Sequence, residues 1–140
     1  MTIRLFVGLV ALGLSFPAKA QVSRGDWFPG SSSVTEMEII PPGFRGKWAP
    51  NLANCEDRDG VDHMYVYPNG IDFYESGGRL DRISQAGRER SVLMKLSFEG
   101  EGGFWDRIWR VTLSPDGQTV TISLADGSET ATYVRCPNGG

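Results

Sequence analysis

The chain is poor in the residues that carry catalysis and metal binding. Among 140 residues there is one histidine, His63, and there are two cysteines, Cys55 and Cys136. A charge-relay triad needs its histidine beside a nucleophile on a strained elbow, and no Gly-x-Ser-x-Gly turn occurs. Zinc centres draw on clusters of Cys and His, which this inventory does not supply. Asp57, Asp59 and Asp62 around Gly60 resemble the start of a calcium loop, but the twelfth position from Asp57 is Pro68, not the required Glu. Glu99 and Glu101 alternate within a glycine-rich stretch and are expected to face water. Neither a cofactor, a metal nor an enzymatic activity is expected.

Long apolar runs are also scarce. The one that exists lies at the start, where Met-Thr-Ile-Arg leads into an apolar stretch from Leu5 to Phe16 and then Pro17 and Ala18-Lys19-Ala20. Charged, greasy and small-residue parts in that order are the pattern of a secretory signal cleaved after Ala20. The run is too short to span a bilayer, which takes about 20 residues, and no cysteine follows it to take a lipid. The mature chain is expected to be soluble, in the periplasm or the medium, with no membrane anchor.

Positive charge is in short supply as well. The chain has 14 basic and 17 acidic residues; the first 20 hold Arg4 and Lys19 and no acid, which leaves 12 against 17 and a net charge of about −5. Nucleic-acid binding rests on basic surface that releases counterions, so nucleic acid is not an expected partner. Basic or neutral partners fit better. Beyond residue 20 the only lysines are Lys47 and Lys95, and the other cations are arginines, which favour planar hydrogen-bonded pairing.

Two cysteines in an exported chain are expected to form a disulfide, and only Cys55 to Cys136 is open to them. Closing a loop of about 80 residues contributes roughly 4.5 kcal/mol in the chain-entropy treatment. A mature chain of this size is one domain able to bury a core of its own.

Residues 21–43 read as a flexible leader. Gln21 to Ser33 is rich in Gly and Ser around isolated Trp27 and Phe28 and cannot bury enough apolar surface to offset its ordering entropy. Its Arg24-Gly25-Asp26 matches an adhesion tripeptide, a match that arises readily by chance. Glu36 to Ile40 is a short extended piece, stopped by Pro41-Pro42-Gly43. The folded domain is expected over residues 44–140.

From there the chain is a succession of short β-like runs. The expected strands are Gly46 to Ala49, Val61 to Tyr67, Ile71 to Glu75, Arg79 to Ser84, Arg90 to Phe98, Phe104 to Leu113, Thr119 to Leu124 and Thr130 to Cys136. Pro68-Asn69-Gly70 signals a hairpin because Asn-Gly tolerates positive φ. Gly77-Gly78 punctuates, Glu99 to Gly103 is a connection, and Ser114-Pro115-Asp116-Gly117 and Asp126-Gly127 are turns. Val92, Met94, Leu96 and Phe98 alternate with polar residues, so one face of that strand is core. No helical periodicity appears. Eight strands with tight turns predict an all-β meander, which removes its edges by closing. The disulfide favours closure, since it brings the first and last strands within about 6 Å. A β-sandwich is the alternative.

The resemblance is to the lipocalin and calycin barrels, which carry Gly-x-Trp on the first strand and an Arg or Lys from the last strand packed across that indole at the closed end. Gly46, Trp48 and Arg135 match in type and order. The wider pattern Phe44-x-Gly46-x-Trp48, Cys55, Ile71-x-Phe73-x-Glu75-Ser76, Gly100-Glu101-Gly102, Leu113-Ser114-x-Asp116-Gly117 and Arg135-Cys136-Pro137 is similar to a set of small exported proteobacterial proteins with no established activity. The resemblance implies an up-and-down barrel and a structural role for these residues.

A surplus of aromatic residues supplies the candidate contact residues. His63, Tyr65 and Tyr67 share one face of the second strand, and Trp105 and Trp109 share one face of the sixth with Arg107 between them. One set lines the interior and the other is available at the surface. Tyr, Trp and Arg are enriched at interfaces, and an eight-stranded interior is either filled or holds one small ligand. Two non-catalytic functions follow: an inhibitor of a secreted or periplasmic hydrolase, acting on a protein partner through its leader or a loop, and a carrier of a small apolar ligand.

Overall fold

The computed structural model describes residues 34–86 and 90–137. The signal-like segment, Trp27, Phe28 and the Arg-Gly-Asp tripeptide lie outside the described residues. Among the described residues there are nine strands: β1 (Val34–Met37), β2 (Gly46–Ala49), β3 (Met64–Tyr67), β4 (Gly70–Asp72), β5 (Ser76–Ala86), β6 (Ser91–Gly100), β7 (Gly103–Leu113), β8 (Thr119–Leu124) and β9 (Ala131–Arg135). A 3-10 turn, Pro42–Phe44, precedes β2, and a short helix α1, Leu52–Cys55, follows it. Asn51 caps α1 by accepting from the Asn54 amide.

Strands β2 to β9 pair in sequence order, every pair antiparallel, and β9 returns to β2, so the meander is a closed eight-stranded barrel. Closure gives each of those strands a partner on both sides. The sandwich alternative is excluded.

The ninth strand is an addition to the expected set. β1 pairs with the far half of β5, from Val34 opposite Ala86 to Met37 opposite Ile83. β4 covers only Gly77 to Arg79 of the same β5 edge. β1 therefore completes the wall where the three-residue β4 stops, and the Ile40 amide donates to the Pro68 carbonyl at that junction. Ile40 is fully buried. The segment from Val34 to Pro42, read from sequence as the end of a leader, thus belongs to the barrel. An isolated strand carries little signal when the edge that accepts it is distant in sequence.

Several boundaries shift for identifiable reasons. Val61 and Asp62 form a turn, so β3 starts at Met64. Gly77-Gly78 lies inside β5 and does not punctuate it. A Cβ on Gly78 would come within 2.6 Å of the Phe98 ring, so the glycine makes room for a core side chain. Between β6 and β7 only Glu101 and Gly102 remain as turn, with φ of 47° and 74°. Two consecutive left-handed residues are what a two-residue turn matching strand twist requires. The Pro68-Asn69 hairpin does form, yet Asn69 and Gly70 are absent from the positive-φ residues, so the tolerance of Asn-Gly is not what makes it turn.

The barrel interior is filled. Phe44, Trp48, Met64, Val66, Ile71, Ile83, Val92, Met94, Leu96, Phe98, Val111, Val120 and Ile122 join Ile40 in one buried cluster. The expected alternation of β6 is observed, with Val92, Met94, Leu96 and Phe98 inward. Towards the end of the barrel that carries the β6–β7 turn, Phe73, Trp105 and Trp109 gather on Phe98. Phe98 stacks on Trp105 with ring centres 5.7 Å apart, and Phe73 meets Trp109 edge-on at 6.1 Å.

Candidate functional site

Trp48 and Arg135 are opposite one another where β2 meets β9. That pairing spans only two residue pairs, Trp48 with Arg135 and Ala49 with Val134. It is reinforced on both faces. On the inner face the Arg135 guanidinium lies 4.2 Å from the centre of the Trp48 ring and donates to the carbonyls of Gly117, Arg45 and Gly43. The indole N–H donates to the Phe44 carbonyl at 3.0 Å. On the outer face Cys136 is bonded to Cys55 of α1, Cα to Cα 5.4 Å, and Lys47 donates to the Cys55 carbonyl. Burial pushes the Arg135 pKa down from its ordinary value, and an arginine stays charged under any ordinary condition. These residues close the barrel and are fully engaged in doing so.

His63 is buried just ahead of β3. Its Nε2 lies 2.5 Å from the Asn54 carbonyl oxygen, so that nitrogen carries the proton and donates. The ring ties α1 to the barrel. Glu99 is exposed on β6 and Glu101 sits in the β6–β7 turn, and each lines a different cleft from His63. His63 instead lines a cleft of about 480 Å³ with Glu56, Asp57 and Asp59.

The aromatic candidates divide between the two sides of the wall. Trp105, Arg107 and Trp109 stand opposite Phe98, Leu96 and Met94, all inward residues. The two tryptophans are half-buried in the aromatic cluster, and Arg107 is exposed. Trp109 and Arg107, with Phe73, Glu129 and Tyr133, line a cleft of about 190 Å³ at the barrel mouth. Tyr133 is pushed up in pKa by burial first and by the charge of Asp62 second. Tyr65 and Tyr67 point outward and are exposed.

The outward tyrosines lead to a feature that the sequence did not reveal. Cross-strand pairing aligns two rows of outward positions over β3, β4, β5, β6 and β7. The first runs Tyr65, Asp72, Gly77, Glu99, Phe104, and the second Tyr67, Gly70, Arg79, Ser97, Asp106. Each row has a glycine near its middle, where the wall consequently has no side chain. The result is a trough of about 600 Å³ floored by Gly70, Gly77 and Gly78. Tyr67, 45% exposed, forms one rim and Phe104, 81% exposed, the other. Glycine is required at the centre: a Cβ on Gly70 would lie 2.5 Å from the Gly78 carbonyl oxygen.

The trough is acidic. Ser97 contacts the carboxylates of Asp81 and Asp106, and Arg79 lies 3.9 Å from Asp81. Among the described residues neither Asp72 nor Glu99 has a hydrogen-bonding or ionic side-chain partner. Phe104 lies in the expected strand, and its alternation with Trp105 is visible in the sequence. The signal for the trough was the set of glycines, whose effect depends on a register that only the fold supplies.

No family model, curated protein or solved structure matches the chain.

Proposed function

We propose that this is an exported, non-catalytic binding protein that acts on a protein partner through the outer wall of its barrel, as an inhibitor of a secreted or periplasmic hydrolase. The observation that carries the reading is the exposed ring of Phe104 on the rim of a trough that Tyr67 borders on the other side. Exposed aromatic residues beside a concavity are the residue types that dominate interface energetics. Phe104 is the most exposed large hydrophobic residue among the described residues.

The filled interior supports binding at the wall over carriage of an apolar ligand in the lumen. Ligand pockets are commonly about 300 to 1,000 Å³, and the mouth cleft of about 190 Å³ falls below that range. The disulfide supports an oxidising compartment, and export agrees with the signal-like N-terminus. His63 is committed to Asn54, which supports a structural role for the one histidine.

The test is inhibition of a panel of secreted glycan hydrolases and metalloproteases by the purified protein, alongside Phe104→Ala and a variant lacking residues 21–33. Inhibition weakened by Phe104→Ala supports the reading. Inhibition lost only with residues 21–33 transfers the contact from the wall to the leader. A panel left wholly uninhibited overturns the inhibitor assignment.

A further inference from the structure

We infer that the trough on the outer wall is a receptor for a cationic side chain, arginine or lysine, presented by an extended basic segment of the partner protein. The inference rests on the reading of the chain as a protein-binding inhibitor and specifies what the partner must present. Three features converge on it: shape, rim and charge.

The shape comes from the aligned rows. Adjacent strands lie about 4.8 Å apart, so the path along the curved wall from β3 to β7, four strand spacings, is about 19 Å. That length accommodates an extended segment of some five to six residues at about 3.3 Å each. The floor of Gly70, Gly77 and Gly78 lets the backbone of such a segment approach the wall, and a side chain would descend between the rims.

The rims are aromatic and exposed, Tyr67 on one side and Phe104 on the other. The face of an aromatic ring attracts a guanidinium or ammonium group. The wall already pairs a cation with a tyrosine at its neighbouring position, where the Lys47 ammonium lies 6.0 Å from the centre of the Tyr65 ring.

The charge selects the sign. Asp72, Glu99 and Asp106 line the trough, and its one cation, Arg79, stands beside Asp81. Within the lining three carboxylates stand against this one cation, an excess of two. Asp72 and Glu99 face the trough with no protein partner among the described residues, so an incoming guanidinium meets acceptors that are already present and aligned. A charge-assisted pair of this kind is bidentate for arginine and single-point for lysine, so arginine should be preferred. The net charge of about −5 expected for the mature chain adds long-range attraction for a basic partner.

The experiment is amide chemical-shift mapping of the disulfide-bonded protein, processed as its host processes it, titrated with a hexa-arginine peptide at low and moderate salt. Hexa-lysine, hexa-glutamate and a neutral chitohexaose serve as comparisons. The expected result is a saturable shift of the Gly70, Gly77 and Gly78 amides, stronger for arginine than lysine and absent with hexa-glutamate. Asp72→Asn with Glu99→Gln should weaken it by roughly tenfold, as loss of charge-assisted pairs would. Phe104→Ala, which leaves the net charge unchanged, should weaken it by about three- to tenfold. All three positions are exposed, so these substitutions leave the core intact.

Shifts scattered over the whole acidic surface, or binding indifferent to Phe104→Ala, would overturn the inference in favour of diffuse electrostatics. Saturable binding of chitohexaose at the same amides would overturn it in favour of a saccharide site. Self-association through the trough, seen as concentration-dependent shifts without peptide, would assign the surface to a second copy of the chain. The two readings fail separately. Hydrolase inhibition that survives the trough variants removes this inference alone. Hexa-arginine bound in the trough with no hydrolase inhibited removes the inhibitor assignment alone.

Discussion

Arg135 and Trp48 face each other across the shortest link in the barrel wall, the guanidinium 4.2 Å from the indole centre. The same link is bridged on its outer face by Cys55 and Cys136. A seam of two residue pairs, set against ten between β6 and β7, is where the barrel would part first. The side chains of both faces are spent on preventing that.

Arg135→Ala should therefore cost about 2 to 4 kcal/mol in urea unfolding, since it removes three hydrogen bonds from a charged donor and a cation over an aromatic face. Arg135→Lys should recover less than half of the loss. An ammonium keeps the charge but cannot address Gly117, Arg45 and Gly43 with the planar fork that reaches them. Equal stability of the Lys variant and the parent would show that charge alone fastens the seam.

The disulfide variant Cys55→Ser with Cys136→Ser should still fold, because Arg135 and the core hold the barrel without it. Its stability should fall by up to about 4.5 kcal/mol, the chain-entropy value for a loop of this length. Hydrogen exchange should locate the change. The amide of residue 136, which donates to the Lys47 carbonyl across the seam, should lose protection well before those of β6, as local opening precedes global unfolding at the weakest element. Uniform loss of protection in every strand would show that the bond acts only through the unfolded state.

Much of this seam was legible in the sequence. Gly46, Trp48, Arg135 and the two cysteines sit where the eight-strand reading requires them, and the alternation of Val92 to Phe98 fixed the inner face of the longest hairpin. β8 was bounded correctly because Val120, Ile122 and Leu124 alternate between two clear turns. What the sequence hid were features that depend on contact between distant segments. β1 has meaning only beside β5, some 46 to 52 residues away in the paired positions. Gly77 and Gly78 resemble a turn until Phe98 is seen to occupy the space at Gly78 and the Asp72 carboxylate the space at Gly77. Likewise the trough exists only when Gly70 and Gly77 fall into register with Phe104 and Tyr67.

Gly78→Ala tests that reading of the glycines. Its Cβ would meet the Phe98 ring at 2.6 and 2.7 Å, and Phe98 stacks on Trp105. The substitution should cost about 1 to 3 kcal/mol by overpacking and should alter the near-ultraviolet circular dichroism of the tryptophans. Gly103→Ala is the control, because the nearest atom to its Cβ is 3.9 Å away. A Gly78→Ala protein as stable as the control, with an unchanged aromatic spectrum, would refute the packing role.

Acid sensitivity should arise at two turns on opposite ends of the barrel. Asp116 accepts from the Ser114 hydroxyl and the Gln118 amide, and Asp126 accepts from the Ser128 hydroxyl and amide. Hydrogen bonds from those serines, then from the backbone, hold both carboxyl groups below their ordinary range. A depressed folded-state pKa means that the unfolded chain takes up the proton first as pH falls. The stabilisation is therefore complete above the unfolded pKa of about 3.9 and is lost as pH drops through the lower folded value. Asp116→Asn and Asp126→Asn should each be less stable than the parent at pH 6. The difference should shrink between about pH 4 and pH 2, as protonation deprives the parent of the same acceptors. Both groups are exposed, so salt and solvent keep the effect small at each turn, and the slope of stability against pH is the sensitive measurement. A difference that persists unchanged at pH 2 would show that the asparagine disturbs turn geometry and that ionisation has no part in holding these turns.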